Sequence, residues 1–286
     1  MKIKQRWAVQ RTALCVAILS AIVGCAGHQA ATSPELPAAQ TAASQAVAEP
    51  TEAKDILLRM AKFLAQSPRF NMTVQARYDV VQKSGQKIEF SETRKVNVSR
   101  PDHLRIDAEH SDGQKHVLFY DGKDITTYSP SQNVYAQTAK PGGIDEAIKY
   151  FLKDLHMRLP LAMLLLSQLP QEIEQRTQSL DYVEKTEIDG TPVHHLAGRT
   201  ATVDYQVWIA TGAQPLPLRV VLTYKNAEGQ PQFQAQLSDW NLAPEVQDSR
   251  FVFTPPEGAR KIAFLAQIPQ IQVQGATAPE QKGVQK

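Results

Sequence analysis

Short runs of alternating apolar and polar residues, separated by tight turns, extend over most of the chain after residue 69. In residues 70–81 the apolar side chains occupy every second position, which places them on one face of an extended strand. Pairs such as Asp112-Gly113 and Asp121-Gly122 separate the runs and favour hairpin turns. The runs read FNMTVQARYDVV, ETRKVNVS, HLRIDAEH, KHVLFYDG, DITTYSP, NVYAQT, PVHHLAG, VDYQVWIA, LRVVLTYK, FQAQLSDW and RFVFTPP. Because strands joined by short turns pair antiparallel, these runs predict an antiparallel sheet rather than alternating strands and helices.

Segments with helical spacing accompany the strands. Apolar residues within 56–64 recur at intervals of three and four, and those within 144–155 form a second amphipathic stripe. Residues 161–166 are apolar on every side, as expected of a short segment buried under a sheet. We therefore predict an α+β fold: a strongly curved antiparallel sheet, an incomplete β-barrel of about ten strands, with helices covering its concave face.

The first 24 residues have the organisation of a secretory signal peptide. An apolar run at 12–23 is shorter than the ~20 residues that a membrane-spanning helix needs. Basic residues and no acidic residue precede this run, which is the charge pattern of a signal peptide. They are Lys2, Lys4, Arg6 and Arg11.

The apolar run ends in the sequence IVGC at residues 22–25, which resembles the bacterial lipobox. The resemblance implies cleavage before Cys25 and lipidation of Cys25, so that the protein is an exported lipoprotein. Ala26 after this cysteine implies a place in the outer membrane, facing the periplasm. Since Cys15 would leave with the signal peptide, the mature chain would carry no free thiol.

We expect the chain to divide into four parts. Residues 1–24 form the lipoprotein signal peptide, and residues 25–51, rich in Ala, Gln, Thr and Pro, form a lipidated flexible tether. Residues 52–264 form one domain, and residues 265–286 form a mobile tail. Removal of the signal peptide deletes four basic residues and no acidic one, which changes the formal charge from +2 to −2. The apparent basicity is therefore no argument for an anionic partner.

Four phrases in the chain resemble a known family. They are YDGKDITTYSPSQNVYAQT (120–138), RLPLAMLL (158–165), YQVWIATGAQPLPLRVVLTY (205–224) and SDWNLAPEVQDSRFVFTPPEGARKI (238–262). Together they are similar to a family of predicted periplasmic proteins of unknown function, which is similar in fold to the LolA/LolB lipoprotein carriers. The resemblance implies an incomplete antiparallel barrel around a hydrophobic cavity, with helices as a lid.

A curved sheet leaves an apolar concavity wherever its helices do not fill it, and an apolar ligand could enter there. The alternative is that the same residues pack together as a dry core. The candidate lining comes from one face of several strands and from the helical segments. It comprises Val74, Tyr78, Val96, Val98, Leu104, Ile106, Phe151, Leu152, Leu164, Leu165, Val207, Ile209, Val220, Leu222 and Tyr224.

No motif in the sequence indicates catalysis, a metal site or a cofactor. His194 and His195 are adjacent on a predicted strand, so their rings point to opposite faces and cannot share one metal from that strand. Asp residues of Asp-Gly pairs are expected to bond the backbone of their turns. The pairs Arg94-Lys95 and Arg260-Lys261 are too short for a nucleic-acid surface, and we expect them at solvated sheet edges.

The sequence thus predicts a non-enzymatic protein, anchored to a membrane through Cys25, that binds acyl chains or a lipidated polypeptide in a hydrophobic cavity. The alternative is an envelope interaction or sensor module that binds a partner protein through its sheet edge or its helical lid.

Overall fold

A computed structural model of the chain describes residues 50–264, except His156 and Arg158. The predicted signal peptide, Cys25, the tail and nearly all of the predicted tether lie outside the described residues. The first helix, α1, begins at Pro50.

Twelve strands form a single sheet within the described part of the chain. Their bounds are β1 Arg69–Val81, β2 Lys87–Ser99, β3 His103–His110, β4 Lys115–Asp121, β5 Asp124–Ser129, β6 Val134–Ala139, β7 Ser179–Ile188, β8 Thr191–Arg199, β9 Val203–Ala210, β10 Pro217–Tyr224, β11 Gln232–Asn241 and β12 Arg260–Lys261.

The sheet is curved but does not close into a barrel, and its order is β12-β6-β5-β4-β3-β2-β1-β11-β10-β9-β8-β7. The chain starts in the middle with β1 and proceeds to one side as far as β6. It re-enters at the other edge with β7 and returns to the middle with β11, which lies beside β1, before β12 adds to the edge at β6. The two halves join through the antiparallel pair β1 and β11, in which Ala76 lies opposite Ala235. The predicted α+β fold with a curved antiparallel sheet is confirmed, with one parallel pair, β12 beside β6.

The helices come from the start and the middle of the chain, as predicted. They are α1 (Pro50–Gln66), α2 (Ile144–Lys149), which continues into a wider turn at Tyr150–Asp154, and α3 (Leu169–Arg176). A short 3₁₀ turn, Ala162–Leu165, connects α2 to α3. Among these described helices, none has the length and apolarity that a bilayer crossing requires.

Helix α1 covers the half of the sheet that contains β7, β8 and β9. Its apolar stripe of Ile56, Leu57, Met60 and Leu64 is almost fully buried and belongs to the same core as the inward residues of the strands. The stripe recurs at the helical period, so burial of one face against the sheet stabilises a helix whose other face carries Lys and Arg.

The prediction of a strand at RFVFTPP is wrong. Asp248–Arg250 forms a single 3₁₀ turn, and the residues after it cross the outer face of the sheet without pairing until β12. Phe251 is buried against the ring of His103, and Phe253 packs on Phe119, Tyr128 and Tyr135. The alternating aromatic residues therefore reflect packing on an outer face rather than strand pairing.

Candidate ligand-binding cavity

The inner face of β1 to β5 forms the floor of the candidate site. Residues directly opposite in an antiparallel pair project from the same face, so the register defines rows across the sheet. One such row runs from Met72 through Val96 and Ile106 to Leu118. A second row, from Val98 through Leu104 to Tyr120, lies nearer the helices.

A short cover of helix and turn residues lies over this floor, and a partly open cavity of about 200 Å³ remains between them. The cover consists of α2, the wide turn that follows it, and the segment 159–165. The apolar lining comprises Met72, Val74, Val96, Leu104, Ile106, Ala108, Val117, Leu118, Ile125, Ala147, Ile148, Phe151, Met157, Leu159, Leu161, Ala162 and Leu165.

A group of polar side chains, Glu92, Arg94, His110 and His116, borders the cavity at the far end from α2, and we call it the polar rim. The Glu92 side chain is almost fully buried and is ion-paired with Arg94 Nη2 through its Oε1. His110 Nδ1 lies 3.7 Å from Glu92 Oε2, and the rings of His110 and His116 meet edge to face at 5.5 Å. Burial and the neighbouring His110 lower the pKa of His116, so its imidazole is neutral near pH 7.

Arg100 ties the cover to the sheet. From the end of β2, its guanidinium donates hydrogen bonds to the carbonyl oxygens of Leu165 (2.7 Å), Ser67 (3.2 Å) and Leu64 (3.4 Å). Burial lowers the pKa of Arg100, and the nearby Asp145 opposes the shift. The carbonyls it reaches terminate α1 and the 3₁₀ turn, where helical partners are missing.

Tyr120 fixes the start of α2. Its hydroxyl donates to the carbonyl oxygen of Gly142 at 2.7 Å and lies close to two neighbouring carbonyls of the same loop. Burial, with contributions from Asp102, Glu146 and Asp121, raises the pKa of Tyr120 to about 12. The phenol therefore stays protonated and holds the loop at any physiological pH.

A carboxylate from α2 holds the other end of the cover. Asp145 accepts hydrogen bonds from the backbone N–H of Ser167 at 2.9 Å and from its hydroxyl at 2.7 Å. Hence polar contacts at Arg100, Tyr120 and Asp145 locate a cover whose inner surface is apolar.

The predicted lining residues divide between the cavity and the rest of the core. Six of them line the cavity: Val74, Val96, Leu104, Ile106, Phe151 and Leu165. The others are buried or half-buried in the same core but do not line the cavity: Tyr78, Val98, Leu152, Leu164, Val207, Ile209, Val220, Leu222 and Tyr224. Five of these lie on β9 and β10, on the other half of the sheet.

The polar rim was not predicted, although the sequence contained a signal for it. Glu92 and Arg94 alternate with Val96 and Val98, so all four occupy inward positions of β2. The prediction that Arg94-Lys95 lies at a sheet edge is wrong, because β2 is a central strand and the Arg94 side chain is only 16% exposed. Arg260 and Lys261, by contrast, form the edge strand β12.

The predicted orientation of the histidine pair is confirmed. His194 lies opposite Ile209, and its Nδ1 is 3.2 Å from the hydroxyl oxygen of Tyr182. His195 lies on the other face, where its ring stacks on Trp208 with 4.0 Å between ring centroids. Within the described residues, no group of three or more His, Cys, Asp or Glu side chains is placed to hold a metal ion. Asp112 and Asp121 accept backbone hydrogen bonds in their own turns, as predicted.

An open, curved sheet with an apolar internal cavity under short helices defines a half-barrel protein of the α+β class. The family described as "Predicted periplasmic protein (DUF2092)" matches residues 53–265, so the chain belongs to this family. No curated protein sequence matches the chain significantly.

Solved structures with similar folds share little sequence with the chain. LprF from Mycobacterium bovis is 14% identical, with a TM-score of 0.43, over 73% of this chain and 98% of that chain. An uncharacterized conserved protein from Thermus thermophilus is 14% identical, with a TM-score of 0.42, over 74% of this chain and 99% of that chain. A LolA superfamily protein from Nitrosomonas europaea is 10% identical, with a TM-score of 0.36, over 70% of this chain and 97% of that chain.

Proposed function

We propose that this protein is a lipid-anchored periplasmic binding protein whose cavity takes up a single acyl chain. The observation that carries the proposal is the apolar space of about 200 Å³ between the inner face of β1–β5 and the cover. The space is partly open to the surface and is lined almost entirely by apolar side chains, and a concave apolar pocket with a few polar groups at its border is the usual form of a ligand site.

The size of the cavity limits the ligand. Pockets for drug-sized molecules measure ~300–1,000 Å³, so about 200 Å³ holds part of one chain rather than a lipid with several chains. Transfer of methylene groups from water into this space supplies the binding free energy, at ~25 cal/mol per Å² of apolar surface. No covalent step is involved.

Entry and release require the cover to move. The cover consists of a six-residue helix, a wide turn and a 3₁₀ turn, and such short elements gain little stability of their own. Separation of the cover from the sheet breaks the hydrogen bond from Arg100 to Leu165 and leaves β1 to β5 in place. A ligand that fills the cavity stabilises the closed arrangement by the difference in its affinity for the two states.

A probe-binding experiment tests this function. N-phenylnaphthylamine, a neutral apolar fluorophore, is titrated into the full chain carrying Cys25→Ser, which removes the proposed anchor. Ala108→Trp fills the cavity and is expected to abolish probe binding, whereas the matched control Ala201→Trp, at an exposed turn, retains it. Mass spectrometry of the gently extracted protein is expected to find a co-purified single-chain lipid. If neither probe nor lipid binds, the proposed function is wrong.

A second candidate function is docking of an envelope protein on the β1–β2 hairpin. Ile88 and Phe90 on β2 are 40% and 41% exposed, which is unusual for large apolar residues on an inward-facing row. A photoreactive amino acid at Phe90 is expected to crosslink one protein at equal stoichiometry in intact cells. The same group at Val183, 49% exposed on β7, serves as the control. Equal, unselective crosslinking from both positions would exclude the hairpin as a docking site.

A further inference from the structure

Arg94 is the Lys or Arg residue that lines the cavity within the described part of the chain. It projects from the middle of β2 into the concave side, where its guanidinium carbon lies 5.9 Å from the ring centre of Phe233 on β11. Its side chain is 16% exposed, and it lines the same cavity as Val74 and Val96. An arginine in this position places a positive charge at the end of an apolar pocket.

The hydrogen-bonding capacity of the polar rim is only partly used. A guanidinium has five N–H donors, and among the described residues Arg94 uses Nη2 alone, toward Glu92. His116, whose ring also lines the cavity, makes no hydrogen bond within that part of the chain. None of these donors is among the fully buried polar atoms left without a partner, so water reaches them when no ligand is bound, and an acceptor on a ligand can replace that water.

Glu92 holds Arg94 in place and limits the charge that a ligand can bring. Its buried carboxylate fixes one edge of the guanidinium and lies 3.7 Å from His110, so the other edge remains available. A planar carboxylate matches that edge with two parallel hydrogen bonds. A phosphate monoester would place a second negative charge close to Glu92, which Coulomb repulsion in a poorly solvated site disfavours.

We propose that the ligand of the cavity is a fatty acid, whose chain occupies the apolar space and whose carboxylate accepts hydrogen bonds from Arg94 and His116. This inference rests on the proposed function, since it names the head group of the chain that the cavity holds. It makes Arg94 the residue that distinguishes a fatty acid from an uncharged lipid of the same length.

Competition between two ligands of equal chain length tests the inference. Decanoate and decanol are each titrated against N-phenylnaphthylamine bound to the full chain with Cys25→Ser. Because charge-assisted hydrogen bonds are the stronger kind, decanoate is expected to bind about tenfold or more tightly than decanol. Decyl phosphate, with the same chain, is expected to bind more weakly than decanoate.

Substitutions at the rim locate the effect. Arg94→Met leaves Glu92 without its partner, so the double variant Glu92→Gln/Arg94→Met is measured beside it to keep the rim uncharged. In both variants decanoate affinity is expected to fall about tenfold or more, while decanol affinity changes less than about twofold. Arg77→Met, on the exposed outer face of β1, is the matched control and leaves both affinities unchanged.

The outcomes separate this inference from the proposed function. The fatty-acid assignment is wrong if decanoate and decanol displace the probe equally, or if the Arg94 variants lose affinity for both ligands equally. Either result leaves the proposed acyl-chain cavity unaffected. Tighter binding of decyl phosphate overturns the assignment of a carboxylate. Failure of the probe and of all three ligands to bind the unsubstituted rim overturns the proposed function itself.

Discussion

Gly198 in β8 shows how closely the inner face is packed beside α3. A Cβ atom at this position would lie 2.2 Å from Cζ and 2.4 Å from the hydroxyl oxygen of Tyr205, its partner on β9. The Tyr205 hydroxyl is itself 2.9 Å from Thr177 Oγ1, at the end of α3. The ring can therefore yield to an added methyl group only if its hydroxyl breaks this hydrogen bond or displaces the end of the helix.

We expect Gly198→Ala to lower the free energy of unfolding by about 1–3 kcal/mol, the usual cost of overpacking. Urea denaturation monitored by tryptophan fluorescence measures this change. In a Tyr205→Leu background the clash is absent, and the same substitution is expected to cost clearly less. An identical cost in both backgrounds would locate the strain elsewhere.

The buried pair of Glu92 and Arg94 makes a second prediction at the scale of single residues. Arg94→Met removes the partner of a carboxylate that is almost fully buried, and such a loss costs about 3–5 kcal/mol. The double variant Glu92→Gln/Arg94→Met removes the uncompensated charge, so we expect it to recover more than half of that stability. Urea denaturation of the four members of the cycle is the measurement. Strictly additive effects would mean that the two side chains do not interact.

The sequence placed most inward residues correctly because alternation is a property of a strand by itself. Val74, Val96, Leu104 and Ile106 face the cavity as their period predicts. Alternation does not show where in the sheet a strand lies, because that position depends on which other strands pair with it. Arg94 was therefore assigned to a solvated edge, although the strand it occupies lies between β1 and β3.

At the scale of elements, the cover is the part of the fold with the least support of its own. The amide of Leu166 bonds only within the 3₁₀ turn, to the carbonyl oxygen of Met163, and the turn is held to the sheet through Arg100. Since side chain to carbonyl contacts replace regular pairing here, the stability of this element depends on a few residues.

We expect Arg100→Ala to increase amide hydrogen exchange in residues 162–169 by at least about tenfold, while the strands β1 and β2 stay protected. Loss of a charged donor that serves three carbonyls costs about 2–4 kcal/mol, and the shortest of the three hydrogen bonds, to Leu165, is the one that holds the cover. Hydrogen exchange read by mass spectrometry measures the change, with Arg77→Ala on the outer face as control. Uniform acceleration across the sheet would show that Arg100 supports the whole core.

The sequence predicts the boundaries of strands that begin and end at turn residues. It does not predict elements that lack an alternating or helical pattern of their own. The bounds of β3 and β9 match the runs read from the sequence. The edge strand β7 carries exposed charged residues, such as Glu184 and Lys185, and its alternation is weak for that reason. The two-residue strand β12 exists only because β6 offers an unpaired edge.

At the scale of the whole molecule, the order of the strands determines where a cavity can form. The chain leaves the sheet after β6, at one edge, and re-enters at β7, at the other edge. The segment that connects them must therefore cross the sheet, and it carries α2, the 3₁₀ turn and α3. Helix α1 fills the half beside β7 to β9, and the shorter connecting elements leave space over β1 to β5. The volume that remains between packed elements depends on their arrangement in space. For this reason the sequence alone did not decide between a filled core and a cavity.

Anchoring of the whole molecule depends, in our proposal, on Cys25, which lies outside the described residues. A single acyl chain binds membranes only marginally, whereas two or more give stable attachment. We therefore expect Cys25→Ser to abolish incorporation of an alkyne-labelled palmitate and to move the protein from the membrane fraction to the periplasmic fraction. Cys15→Ser, within the predicted signal peptide, is the matched control and is expected to retain both label and membrane association. Labelling that persists in Cys25→Ser would refute the lipobox assignment, and membrane association without label would point instead to a contact made by the folded domain.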